Sequence, residues 1–151
     1  MKQGNSNRHN DHSTRLSDYG AEPFVENINL AAVRNQNYRT ALWTGTYLQL
    51  TLMSIPVDGE IGLEVHPNTD QYIRIESGVG MVQMGSSKDK LNYQKQIREN
   101  DGIFVPANTW HNFINIGRRP MKVSSVYAPP HHPHGTVQKT KAEADAEENH
   151  Y

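Results

Sequence analysis

Residues 59–80 read GEIGLEVHPNTDQYIRIESGVG, and residues 100–115 read NDGIFVPANTWHNFIN. In the first stretch Gln71, Ile73 and Ile75 alternate with Tyr72, Arg74 and Glu76. That period of two places 71, 73 and 75 on one face of a strand, and the two isoleucines make it the interior face. Gln71 therefore points inward and Asp70 does not. In the second stretch His111, Phe113 and Asn115 share a face by the same rule. Turn signals frame both stretches: Asp58-Gly59, Ser77-Gly78 and Asn100-Asp101, residue types that tolerate the backbone angles of tight turns.

Outward from these stretches the pattern continues. Leu48, Leu50 and Leu52 alternate with Gln49 and Thr51, and further strands are expected over Ile61–His66, Val79–Met84, Gln94–Arg98, Ile103–Pro106, Trp110–Ile116 and Met121–Ala128. Asn29 can cap a short helical piece over Leu30 to Arg34,. Many short strands with hardly a helix among them predict an all-β, single-domain antiparallel sandwich or barrel. No internal repeat argues for a propeller or solenoid.

The chain ends are different. Residues 1–20 are polar and aperiodic, and predict a disordered arm on a cytoplasmic protein, lacking the basic start and apolar middle of a secretory signal,. Residues 137–151 form a charged, Ala-rich tail in which Thr140 and Glu143 can build a capping box on a short helix,. Its carboxylates, Glu143, Asp145, Glu147 and Glu148, read as a solubilising end,. The barrel domain then covers residues 21–136, with its core in 40–128.

Composition closes off several functions. The chain has 151 residues, a formal net charge of -1 and no cysteine. Without cysteine there is no disulfide scaffold, thiolate zinc site or thiol nucleophile. The balanced charge argues against nucleic-acid binding, which needs clustered Lys and Arg. No apolar run approaches the roughly 18 residues that cross a bilayer, so no membrane partner is expected. Eight histidines keep nitrogen-ligand metal chemistry open.

Together the two stretches resemble the paired signature motifs of the cupin superfamily. In that family the first motif is a Gly, then H-x-H, a Glu, six residues and a Gly. The second is G-D, then P-x-G-x-x-H-x-x-x-N. Pro106, His111 and Asn115 match the second spacing, and the gap from Gln71 to Gly78 matches the first. The resemblance implies a small jelly-roll barrel, similar to single-domain bacterial proteins described as mannose-6-phosphate isomerase-like. It implies a metal site at His66, Asn68, Gln71 and His111. Here Asn68 stands where the second His belongs, Gln71 replaces the Glu, and Asn108 replaces a Gly whose left-handed conformation Asn tolerates best,.

Imidazole nitrogen suits Zn, Fe, Ni and Cu, and an amide oxygen is a neutral ligand acceptable to Mn or Fe. This neutral set would leave a divalent ion its full charge, as a strong Lewis acid toward an anionic or carbonyl oxygen. If His66 points inward, Glu64 does so too and stands beside the metal. Glu64 is the first candidate general base, with Tyr93, Tyr127 or a loop histidine behind it. His131, His132 and His134, in the stretch APPHHPHGTV (residues 128–137), could bind a metal or cover the barrel mouth. An exposed loop is the plainer reading.

The expected function is a divalent-metal enzyme that isomerises or rearranges a small polar or anionic carbonyl compound: a sugar, sugar phosphate or uronate. The alternatives are an oxygen-using Fe or Mn dioxygenase and a non-catalytic binding or structural protein. The resemblance implies a homodimer, and the apolar strand from Tyr47 to Ile55 needs covering,.

Overall fold

The computed structural model describes residues 15–148. In chain order the elements are α1 (Ile28–Arg34), β1 (Arg39–Thr44), β2 (Gln49–Ile55), β3 (Asp70–Ser77), β4 (Val79–Gly85), β5 (Tyr93–Arg98), β6 (Gly102–Val105), β7 (Trp110–Asn115), β8 (Met121–Ala128), β9 (Val137–Gln138) and α2 (Lys141–Glu148). They form two antiparallel sheets, one in the order β6-β3-β8-β2-β1-β9 and the other β5-β4-β7. Apolar side chains from both meet in one core. Met53, Ile55, Ile73, Ile75 and Val123 come from the larger sheet, and Val82, Met84, Ile97 and Phe113 from the smaller. This is the all-β antiparallel fold expected from the alternation, in the jelly-roll form that the resemblance implies.

The inward faces agree with the parity of the sequence. Gln71, Ile73 and Ile75 are buried, as are His111, Phe113 and Asn115, while Asp70 is exposed and accepts from Ala107 N at 2.8 Å. Asn115 is a clamp for the turns. Its Nδ2 donates to the carbonyls of Ile55, Pro56 and Arg119, and its Oδ1 accepts from Gly117 N. Asn108 has φ 63°, the left-handed conformation for which its amide side chain substitutes for glycine,.

Three expectations are corrected. Ile61–His66 is not a strand: it and the neighbouring Glu60 meet the second motif through isolated bridges, Glu60 to Ile114 and Glu64 to His111, and single main-chain bonds. Gly62 at φ 97° breaks the alternation, so Ile61 enters the core although Glu64 and His66 also face inward. The cap of α1 is Asn27, whose Oδ1 accepts from Leu30 N at 3.0 Å. Asn29 instead donates to the buried Glu76 carboxylate.

The third correction concerns what covers β2. Its leucine face packs outward, where Leu42 and Leu52 join Ala31 and Ala32 of α1 in a second cluster, backed by Leu16, Tyr19, Phe24 and Ile28. The chain thus covers Leu52 itself, while Tyr47 and Leu48 stay exposed. The opposite face, with Gln49, Thr51 and Met53, lines the barrel.

Most of the arm expected over residues 1–20 lies outside the described residues. Its last part is tied to the barrel, since Asp18 accepts from Thr44 Oγ1 at 2.6 Å and Gly135 N at 2.9 Å. The C-terminal stretch is likewise docked. Val137 and Gln138 pair with β1, and Ala144 of α2 enters the core. Thr140 caps α2 by accepting from Glu143 N, while Glu143 reaches back to Lys139 N. Among the described residues no helix is long and apolar enough to cross a membrane.

Candidate metal centre

The two motif stretches are stitched together by main-chain hydrogen bonds. Glu64 and His111 exchange both, at 3.0 and 2.9 Å, and Asn108 N donates to the His66 carbonyl at 2.9 Å. In such a paired antiparallel contact the opposed side chains share a face, and His66 lies two residues further along that face. Glu64, His66 and His111 therefore converge. One ligand atom of each lies within 4.8 Å of the others.

The donor set fits a cation. His111 Nδ1 lies 2.8 Å from the Thr109 carbonyl, which requires the proton on Nδ1 and leaves the Nε2 lone pair free. Among the described residues, His111 Nε2, His66 Nε2 and Gln71 Oε1 are buried and have no hydrogen-bond partner. Glu64 Oε2 is 3.4 Å from His66 Nε2, too long for a strong hydrogen bond,. Buried polar groups are ordinarily satisfied. Two bare imidazole nitrogens beside a carboxylate are what an absent divalent ion would leave. The cluster can therefore hold a metal ion, whose identity the residues do not specify.

Electrostatics support ligation. Burial pushes the Glu64 carboxyl up, but its contact with His66 and the charge of Arg39 outweigh this and hold it below the usual carboxylate range. Burial also depresses His111, only partly offset by the Thr109 carbonyl and Glu64, which favours the neutral imidazole that metals bind.

The expected site residues divide cleanly. His66 and His111 are in the cluster, and Glu64, expected as a general base, joins them within reach of a shared ion. Gln71 faces the same interior, its Nε2 donating to Ser125 Oγ at 2.8 Å. Tyr127, opposite Gln71 on β8, is buried with its ring edge-on to His66 at 5.9 Å. Asn68 is exposed in the loop after Pro67 and is not part of the cluster. Tyr93 is 56% exposed on the edge strand β5, opposite Met84, which in turn opposes His111, and it is not in the cluster. The cluster offers one carboxylate and two imidazoles, so a divalent ion held there would keep less of its charge than on the neutral set alone.

Of the two readings of the histidine-rich loop, the structure favours the one that covers the barrel mouth. The histidine-rich loop is no exposed segment: His131 lies 4.2 Å from the His66 ring, and His132 is 4% exposed against Tyr127. Gln49 Oε1 anchors the loop by accepting from His131 N and His132 N. His134 faces away, near Asp18 and the Gly20 carbonyl. Glu148 of α2 lines a cavity of about 410 Å³ with Leu63, Glu64, Val65, His66, Trp110 and His131. Only the density of histidine in residues 131–134 hinted at this wall. Nothing in the local sequence brings α2 to it.

Substituting Gln71→Glu is expected to tighten metal retention, because a carboxylate oxygen would replace the unpartnered amide oxygen. Metal remaining after dialysis measures this. Unchanged content would show that residue 71 does not touch the ion.

A small antiparallel barrel holding an inward-facing cluster of histidine and carboxylate defines a class of metal-binding β-barrels. The cupin-domain profile matches residues 51–127, and the chain belongs to the cupin family. It is 55% identical over 139 residues to the uncharacterized protein YrkC of Bacillus subtilis (strain 168), covering 92% of this chain and 75% of that one. It is 35% identical to the uncharacterized protein L612 of Acanthamoeba polyphaga mimivirus over 76% of this chain and 70% of that one. The crystal structure of BH2720 from Bacillus halodurans superposes with a TM-score of 0.86 at 53% identity, covering 87% of this chain and 99% of that one.

Proposed function

We propose that this cupin is a divalent-metal enzyme that isomerises or rearranges a small polar carbonyl compound, such as a sugar, sugar phosphate or uronate. The observation that carries this reading is the convergence of Glu64, His66 and His111, with both Nε2 atoms unpartnered, beside a cavity of about 410 Å³. A bound Mn, Fe, Zn or Ni ion would supply Lewis acidity toward a carbonyl oxygen. Glu64 serves as a ligand here, so it is no longer the first choice of general base. Proton transfer falls to groups facing the same space. Glu148 is one, its carboxyl pushed up by burial and by the charge of Glu64. Tyr127 is another, its phenol pushed up by burial and so held protonated. His131 walls the mouth and excludes water.

One observation favours a second reading. Two histidines and one carboxylate are also the set used by non-haem iron enzymes that activate oxygen. Elemental analysis of the purified protein is the first test. Near one ion per chain is the expected result, and protein that takes up none of the four metals leaves only a non-catalytic binding role. An anaerobic assay then separates the two enzyme readings. Turnover without oxygen sinks the dioxygenase, and a strict need for oxygen sinks the isomerase.

A further inference from the structure

Arg39 is 1% exposed and the largest fully buried side chain. Its Nη1 donates to Gln138 Oε1. Its Nη2 meets Met53 Sδ at 3.9 Å, the Tyr127 hydroxyl interacts with the guanidinium, and its Nε has no partner. None of the ion pairs among the described residues includes Arg39. The charges of Glu64 and Glu148 act on it from beyond ion-pair distance, and a buried guanidinium without a carboxylate in direct contact is costly. The atoms left poorly satisfied are moreover Nε and Nη2. Together they form the edge of two parallel N–H groups that matches the two oxygens of a carboxylate.

The surroundings of Arg39 lead to the metal ligands. Arg39 faces Met53 on β2. Two residues along that inward face, Thr51 is fully buried with its Oγ1 unpartnered. Thr51 opposes Ser125, which accepts from Gln71, whose Oε1 is unpartnered as well. Tyr127 interacts with Arg39 and packs edge-on against His66. Arg39 Nε, Thr51 Oγ1, Gln71 Oε1 and the two imidazole Nε2 atoms thus form a succession of unpartnered polar atoms facing one interior.

We propose that the barrel binds a small organic acid whose carboxylate pairs with the Nε–Nη2 edge of Arg39. A carbonyl or hydroxyl oxygen of the same molecule reaches the ion held by Glu64, His66 and His111. The inference rests on the metal reading above and names its ligand class. The plainer role for Arg39, bolting β9 to the barrel through Gln138, accounts for Nη1 but leaves the other edge unexplained.

The test uses Mn-loaded full-length protein and three pairs of probes by calorimetric titration: glycolate with ethylene glycol, malonate with 1,3-propanediol, and glucuronate with glucose. At least one acid is expected to bind roughly 10- to 100-fold more tightly than its neutral counterpart, the scale of hydrogen bonds to charged groups. Arg39→Gln should abolish that preference while keeping its metal. If that variant does not fold, Arg39→Lys keeps the charge without the fork and should weaken the preference. No preference in any pair overturns the proposal. So does a preference that survives Arg39→Gln, or acid binding that is unchanged after the metal is stripped. Failure of the wild type to hold Mn is seen before any acid is added, and it overturns the metal reading itself.

Discussion

His111→Ala is expected to strip the protein of metal. His111 supplies one of three ligand groups, and its proton is placed on Nδ1 by the Thr109 carbonyl. Loss of an outer partner of a ligand costs roughly 10- to 100-fold in metal affinity, so loss of the ligand itself should cost more. After dialysis against metal-free buffer, wild-type protein should keep near one ion per chain and the variant close to none. Glu64→Gln should also release the ion, since it removes the one charged ligand yet keeps the side chain's volume. The main-chain pairing of Glu64 with His111 does not depend on either side chain. Both variants should therefore melt cooperatively in the presence of chelator, which separates ligand loss from unfolding. Equal metal content in wild type and His111→Ala would sink the site.

The second large effect is loss of stability in acid. Burial, with the charge of Arg39 and neighbouring histidines, pushes His132 down to about 2. In the unfolded chain a histidine titrates near about 6.5. Below that pH the unfolded state binds a proton that the folded state refuses, so stability falls as pH falls, and the loss continues toward the folded value. The stabilisation is fully present above about pH 6.5. Each unit below it costs about 1.4 kcal/mol for such a group, or about 2 kcal/mol between pH 6.5 and 5. His131, pushed down to about 4 by burial and by His66, adds a similar loss over the same interval. About 4 kcal/mol in all is large against the usual 5–15 kcal/mol of a domain. Denaturant midpoints at pH 7, 6 and 5, with chelator present, measure it, and His132→Phe should flatten the profile. Constant stability between pH 7 and 5 would contradict the buried neutral histidines.

Much of this was legible in the residues alone. The alternation of Gln71, Ile73 and Ile75 names an inward face, and the spacing of Pro106, His111 and Asn115 marks the second motif. Both rest on local rules: side chains alternate along a strand, and turns demand particular residue types. Asn108 in the left-handed conformation follows from the same reasoning. The site was half legible. His66 and His111 stand at motif positions, but the carboxylate came from Glu64 rather than from the position of Gln71. Parity made Glu64 conditional on His66, and only the bridge to His111 settled which way the segment faced. Gly62 breaks the alternation there, so no pattern within residues 61–66 predicts which side chains enter the core.

The sequence by itself determined an all-β antiparallel fold, one strand face shared by His111, Phe113 and Asn115, and no thiolate chemistry, because strand period, turn residues and composition are properties of neighbours along the chain. Tertiary structure alone decided that Arg39, Gln138 and Tyr127 meet inside the barrel, that the histidine loop walls the site, and that α2 brings Glu148 to its cavity. Those contacts join residues far apart in the chain, Arg39 and Gln138 by 99 positions. Their geometry is set by how the strands pair and which face each turns inward, information that no local stretch carries.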